Sequence, residues 1–178
     1  SCIALNCVGG ATLERVTFEN IHLVFGGGGT AEDAARRDLP EIAGEYFMLG
    51  PMPAYGFYAR NAHGLTLSNI RFATATPDLR PAVILDHVAD AAISGLSIGA
   101  DANSESALRF IDTHDVLITA PRLLTPAKSF LQVEGGSSAG ILVQGGDLRK
   151  CSEPFAFVRG AEHGAVQAEG IVQRSNRD

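Results

Sequence analysis

Apolar residues recur at fixed offsets along the chain and define a short repeated segment. Residues 64–72, GLTLSNIRF, begin with glycine and carry apolar residues three, six and eight positions later. Residues 10–18, GATLERVTF, have the same skeleton. Looser copies begin at Asp90, Asp115, Gly140 and His163. The first apolar residue of each copy follows the previous one after 54, 26, 25, 25 and 23 positions, at Leu13, Leu67, Ile93, Ile118, Val143 and Val166.

This repeat predicts an all-β fold. Each copy is short, rich in β-branched residues and partly alternating, which favours a strand over a helical turn. Its first residue is usually Gly or Asp, and these residues accept the backbone conformations of tight corners. A strand and a corner repeated about every 25 residues are typical of a solenoid. We therefore predict a parallel β-helix, a single-stranded solenoid of about six coils stacked ~4.8 Å apart, in which Leu67, Ile93, Ile118 and Val143 share one interior column.

A second strand precedes each copy and gives the coils a common register. Its members are IALN (3–6), FYAR (57–60), AVILD (82–86), ALRFID (107–112), SFLQVE (129–134) and FAFVR (155–159). The positions seven places before the first apolar residues are Asn6, Arg60, Asp86, Ile111, Gly136 and Arg159. We therefore expect Arg60 and Asp86 to be neighbours on adjacent coils, where they can form an ion pair across the stack.

The first interval between these apolar residues, 54 positions from Leu13 to Leu67, exceeds the next interval by 28. The difference indicates one long inserted loop over residues 26–56. It opens with four glycines at 26–29, a strong breaker of regular structure. Thr30, with Asp33 three residues later, predicts the start of a short helix that Pro40 ends. The remainder is rich in Pro, Gly and aromatic residues, and long loops within a compact domain are usually functional.

The aromatic part of this loop supplies the candidate binding residues. Tyr55 and Tyr58 can offer ring faces for sugar stacking, as can Tyr46 and Phe47 nearby. Arg60 can hold a carboxylate through two parallel hydrogen bonds. We therefore predict a substrate-binding site at Tyr55, Tyr58 and Arg60. The alternative is that the loop only covers the side of the stack.

Stacked coils also bring carboxyl groups together. Glycoside hydrolysis requires two of them about 5–9.5 Å apart. Asp90 and Asp115 are separated by about one coil, as are Asp86 and Asp112. We interpret the first pair as corner residues and the second as solvated strand ends, because Asp is a preferred turn former. The histidines, two of which precede a glycine at corner positions, are interpreted as turn or surface residues, and no catalytic residue is predicted.

Composition restricts the partners. The 178 residues fit one β-helix domain, residues 1–178. The net charge is −6 and Lys and Arg are scattered, which argues against nucleic acid. No apolar run reaches the ~18 residues of a membrane span, so no membrane association is expected. No metal site or cofactor is predicted, since the three cysteines lack ligand spacing, and we expect Cys151 to be a buried thiol outside any disulfide.

Residues 10–90 carry a resemblance to a known family. GATLERVTFENIHLVFGGGGTAEDAARRDLPE, PAYGFYARNAHGLTLSNIRF and DLRPAVILDHV resemble the C-terminal coils of glycoside hydrolase family 28, the polygalacturonase-like pectinases, particularly bacterial members. The resemblance implies a pectin-lyase-like right-handed parallel β-helix and inverting hydrolysis of a pectic backbone. The family's Asn-Thr-Asp, Asp-Asp, Gly-His-Gly and Arg-Ile-Lys segments do not occur in this sequence. No catalytic residue is therefore carried over.

Two functions follow as hypotheses. In the first, the chain is the C-terminal part of a longer polygalacturonase-like hydrolase, inactive alone, that extends the scaffold and forms one wall of the substrate cleft. In the second, it is a non-catalytic β-helix module that binds carbohydrate or is structural. Both make pectic polysaccharide the expected partner, and both leave the solenoid ends open to end-to-end association. The resemblance alone implies a periplasmic or secreted location.

Overall fold

The chain forms a parallel β-solenoid of about five turns, with 53 % of the described residues in strands and 7 % in helices. The structure is a computed structural model that describes residues 2–42 and 46–174. The strands are β1 (Ile3–Asn6), β2 (Leu13–Phe25), β3 (Phe57–Thr74), β4 (Val83–Ser94), β5 (Ser97–Ile98), β6 (Leu108–Ile111), β7 (His114–Thr119), β8 (Arg122–Leu123), β9 (Ala127–Glu134), β10 (Ala139–Gln144), β11 (Cys151–Val158) and β12 (Val166–Glu169). The helices are α1 (Ala31–Ala35) and two 3-10 helices, Tyr46–Leu49 and His163–Ala165.

Three parallel ladders run along the stack. The first contains β1, β3, β4, β6, β9 and β11, which are the strands predicted to precede each repeat. The second contains β2, β3, β4, β7, β10 and β12, and a shorter third ladder joins β3 to β5 and β8. The all-β parallel solenoid predicted from the repeat is thereby confirmed.

The predicted interior column is also confirmed. Leu67 lies opposite Ile93, Ile93 opposite Ile118, and Ile118 opposite Val143, in parallel register throughout. All four side chains are buried in the main hydrophobic core. Cys151 is buried in the same core as a thiol outside any disulfide, as expected.

The predicted register of the first coil was wrong by five residues. Phe18, not Leu13, lies opposite Leu67, so the step is 49 residues and the insertion is correspondingly shorter. The error arose because Gly10 was aligned with Gly64. The residue opposite Gly64 is instead Arg15, which adopts a positive φ of 54°. A glycine marks such a corner in the sequence, whereas an arginine gives no signal for it.

The register of the last coils also differs from the prediction. Val143 pairs with Ala168 rather than Val166. In the first ladder, Asn6, Arg60, Asp86 and Ile111 stack as predicted. The next members are Glu134 and Val158, whereas Gly136 and Arg159 were predicted. Corners of unequal length separate the strands of each coil, and a constant offset of seven residues cannot describe them.

Residues with positive φ form columns at the corners of the coils. The column that follows the first ladder contains Asn61, His87, Asp112, Gly135 and Arg159. The next contains Arg15, Gly64, Asp90, Asp115 and Gly140. The corner role predicted for Asp90 and Asp115 is therefore confirmed. Asp112 is a corner residue as well, and the side chains of the first column extend from one edge of the solenoid.

The inserted segment packs against the outside of the first ladder. Thr30 and Asp33 form the predicted capping box at the start of α1, with reciprocal hydrogen bonds of 3.0 and 3.1 Å. Beyond it the segment contributes to a second hydrophobic cluster of buried residues, Leu39, Leu49, Met52, Ala54, Tyr58 and Ile84. The loop therefore does cover the side of the stack, and its edge borders the first corner column.

Candidate functional site

An open cavity of about 480 Å³ lies where the inserted segment meets the first corner column. Its polar and charged lining residues are Arg37, Glu41, Arg60, Asn61, Asp86, His87, Asp112, Glu134 and Arg159. The first ladder supplies Arg60, Asp86 and Glu134, and the corner column supplies their successors in the chain. Parallel stacking thus brings residues about 25 positions apart into one charged site.

One side of the cavity holds a hydrogen-bonded chain of three side chains. The hydroxyl of Tyr58 donates to Asp86 Oδ2 at 3.0 Å, and Asp86 Oδ1 lies 2.6 Å from His87 Nδ1. Asp86 is buried, whereas 60 % of the His87 side chain is exposed. The other ring nitrogen, Nε2, lies 4.0 Å from Asp112 Oδ2. The imidazole is therefore oriented by a buried carboxylate and presents Nε2 to the cavity.

The opposite side is organised around the carboxylate of Glu134, which is 1 % exposed. Arg37 donates to both of its oxygens, at 2.7 and 2.9 Å, and Gln132 donates to Oε1 at 2.7 Å. Arg109 Nε and Arg159 Nε lie 3.1 and 3.3 Å from it. Burial opposes ionisation of Glu134, but the hydrogen bonds from Arg37 and Gln132 and the adjacent guanidinium charges outweigh it and lower its pKa.

Arg60 lies between these two groups and is 9 % exposed. Its Nη1 donates to the backbone carbonyl of Leu39 at 3.1 Å, and its Nη2 lies 3.5 Å from the carbonyl of Pro40. Its Nε is buried without a hydrogen-bond partner among the described residues. These two bonds use one N–H of each terminal nitrogen, and each terminal nitrogen carries a second N–H. The predicted neighbour relation of Arg60 and Asp86 holds, but the described part of the chain has no ion pair between them.

The structure does not support sugar stacking on the two predicted tyrosines. Tyr55 and Tyr58 are 1 % and 2 % exposed, so neither ring face is available. Tyr55 donates to the carbonyl of Gly99 at 2.5 Å and packs edge-on against Phe25 in the core. Aromatic residues in a sequence signal burial as strongly as binding, and here burial prevails. Phe47 is exposed, away from the cavity lining, and the side chain of Tyr46 lies outside the described residues.

The residues that sequence reasoning missed are those that only the correct register brings together. Glu134 and Arg159 were not considered as site residues, although both reach the cavity. His87 was interpreted as a turn or surface residue, and it does occupy a corner with a φ of 53°. It also lines a second cavity of about 320 Å³, with Asn61 and His63, so the two cavities adjoin at His87. The adjacency of Asp86 and His87 in the sequence was the one available signal.

Among the described residues, no cluster of three or more His, Cys, Asp or Glu side chains is arranged to hold a metal ion. No helix in the described ranges has the length and apolar character needed to cross a membrane. None of the family models, curated proteins or solved structures compared with the chain matches it.

Proposed function

We propose that the chain forms the C-terminal scaffold and one cleft wall of a polygalacturonase-like glycoside hydrolase that acts on pectic polysaccharide. The observation that carries the proposal is the placement of Arg60 in the lining of an open cavity, where the bonds to Leu39 and Pro40 use only one N–H of each terminal nitrogen. A guanidinium matches the planar geometry of a carboxylate, and every sugar ring of a polyuronide carries a carboxylate. The resemblance of residues 10–90 to family 28 supports the same substrate class.

The cavity favours one acidic sugar unit over a long anionic chain. Glu134 already engages Arg37, and it also lies beside Arg109 and Arg159. Arg37 is held by two hydrogen bonds and Arg109 is fully buried, which leaves Arg60 and Arg159 as the lining guanidinium groups that a ligand can reach among the described residues. The net charge of −6 provides no long-range attraction for a polyanion. Recognition thus depends on local hydrogen bonds at one ring.

Catalysis by this chain alone is not part of the proposal. Because the four catalytic segments of family 28 do not occur in the sequence, no residue can be assigned their roles. We expect the purified chain to release no reducing ends from polygalacturonate. Measurable hydrolysis would contradict the role as a cleft wall without catalytic acids.

A non-catalytic carbohydrate-binding module is the second candidate. It is favoured by a charged cavity on a chain whose sequence lacks the four family 28 segments. The upstream reading frame distinguishes the two candidates. An Asp-Asp segment and a Gly-His-Gly segment within about two hundred residues before this chain support the hydrolase, whereas an unrelated domain or a stop codon supports the module.

Calorimetric titration with trigalacturonate tests the binding shared by both candidates. We expect saturable binding to the full chain and no binding of the fully methyl-esterified trimer, which lacks carboxylates. Arg60→Lys keeps the charge but loses the planar fork, and we expect it to weaken binding about tenfold. Arg71→Lys, at an exposed position of the same strand, is the matched control. Equal affinity of the two variants, or equal binding of the esterified trimer, would refute the proposal.

A further inference from the structure

We propose that His87 and Asp112 form a diol-binding pair that accepts hydrogen bonds from two neighbouring hydroxyls of the sugar ring whose carboxylate Arg60 holds. The inference rests on the proposed function and specifies the ligand further, as a uronate with an unmodified vicinal diol. The observation behind it is the separation of 4.0 Å between His87 Nε2 and Asp112 Oδ2 at the cavity surface.

The tautomer of His87 follows from its partners. An ionised carboxylate only accepts hydrogen bonds. Asp86 Oδ1 lies 2.6 Å from Nδ1, so in the neutral ring Nδ1 carries the hydrogen and Nε2 carries the lone pair. The hydroxyl of Tyr58 occupies the other oxygen of Asp86 and holds the buried carboxylate in place. In the neutral ring Nε2 is therefore the acceptor.

The second acceptor completes the pair. A separation of 4.0 Å is too long for a direct hydrogen bond between His87 Nε2 and Asp112 Oδ2. With Nε2 unprotonated, both atoms are acceptors, and neither can satisfy the other. Two adjacent ring hydroxyls of a sugar offer two donors at comparable spacing, so each can donate to one of these atoms.

The backbone keeps both side chains at this edge. His87 and Asp112 occupy successive positions of the corner column, with φ values of 53° and 43°. Their strands are in parallel register, since Asp86 lies opposite Ile111. Both residues line the same cavity as Arg60. The site is thus built on the rigid coil stack, which favours binding without rearrangement.

Modified ligands test the pair without changing the protein. Trigalacturonate and its 2,3-di-O-acetylated form are titrated calorimetrically into the full chain. Acetylation removes both hydroxyl donors and keeps the carboxylates, and we expect it to weaken binding at least tenfold. Equal affinity for both trimers would overturn the inference and leave the proposed function intact. Absence of binding by the unmodified trimer would refute the proposed function itself.

A variant and its control locate the effect at His87. His87→Asn removes the ring and introduces a side chain that is compatible with the left-handed backbone. We expect about a fivefold to tenfold loss of affinity for trigalacturonate. His114→Asn is the control, because His114 Nδ1 likewise lies 2.9 Å from the neighbouring Asp115, outside the cavity. Unchanged affinity in His87→Asn, with thermal unfolding equal to that of the control, would overturn the inference.

The tautomer is measured directly by nitrogen-15 NMR of the histidine rings in the ligand-free chain at neutral pH. We expect the His87 ring to be protonated at Nδ1 and unprotonated at Nε2. A ring protonated at Nε2, or at both nitrogens, would overturn the inference, because Nε2 could not then accept a hydrogen bond. This measurement requires neither a folded variant nor a sugar.

Discussion

Arg37 and Glu134 form a two-pronged ion pair across 97 residues of sequence. Arg37 Nε lies 2.9 Å from Glu134 Oε2, and Arg37 Nη2 lies 2.7 Å from Oε1. Arg37 belongs to the inserted segment and Glu134 ends β9, so the pair fastens the insertion to the coil stack. It also forms one side of the candidate site. A buried carboxylate thus helps to hold that wall, together with the hydrophobic contacts of the inserted segment.

Replacing this carboxylate should destabilise the fold. Glu134→Gln keeps the size of the side chain but removes the charge that neutralises Arg37 and the fully buried Arg109. Breaking a buried ion pair by changing one partner typically costs about 3–5 kcal/mol. We expect a lower free energy of unfolding in urea, measured by circular dichroism. Glu153→Gln, at an exposed site on β11, is the control and should change the free energy by less than about 0.5 kcal/mol.

The same carboxylate predicts a pH dependence of stability. The pKa of Glu134 in the folded chain lies below its ordinary value of 4.5, because the hydrogen bonds and cations around it outweigh its burial. A depressed folded pKa contributes stability that is fully present above pH 4.5 and is lost as the pH falls through the folded pKa. The wild type and Glu134→Gln should therefore converge in stability below pH 4.5, in urea titrations at a series of pH values. A difference that stayed constant or grew on acidification would contradict this assignment.

Two adjacent glycines allow the cost of backbone strain to be measured separately from the cost of steric crowding. Gly145 and Gly146 both have positive φ, 64° and 104°. A Cβ on Gly145 would meet no atom within 4 Å, whereas one on Gly146 would lie 2.5 Å from the carbonyl oxygen of Pro121. We expect Gly145→Ala to cost about 1 kcal/mol, from strain alone.

Gly146→Ala should cost at least about 2 kcal/mol more, because the backbone of the adjacent coil must move. Thermal and urea unfolding of the two variants measure the difference. Equal destabilisation would show that the coils at this corner are spaced more widely than the structure has them.

The sequence predicted the fold where apolar spacing was regular, from Leu67 to Val143. It failed in the first coil because Arg15 occupies a corner that glycine marks elsewhere. The left-handed conformation of Arg15 is imposed by the neighbouring coil at Gly64 rather than by local preference. Register at such a corner is a tertiary property, so the residues on each side of it cannot be aligned from the pattern alone.

The site was predictable only in part, for a related reason. Arg60 was identified from its chemistry and does line the cavity. Glu134 was missed because its place in the column depends on the number of residues in the preceding corner. Tyr55 was misassigned because the pattern does not show that its ring enters the main core. Tyr58 was misassigned because the pattern does not show which strand face the inserted segment covers. Tyr58 and Ile84 lie on the face that this segment buries.

The burial of Tyr55 leads to a last prediction. Its hydroxyl donates to the carbonyl of Gly99, 44 residues away, inside the core. Tyr55→Phe keeps the ring packing and leaves that buried carbonyl without this donor, so we expect a loss of about 1–2 kcal/mol in the free energy of unfolding. The affinity for trigalacturonate should stay unchanged, since the ring has no face at the cavity. If Tyr55→Phe or Tyr55→Ala weakened sugar binding while the chain remained folded, the ring would have to be reachable by ligand. The packing of the Tyr55 ring in the main core would then be wrong.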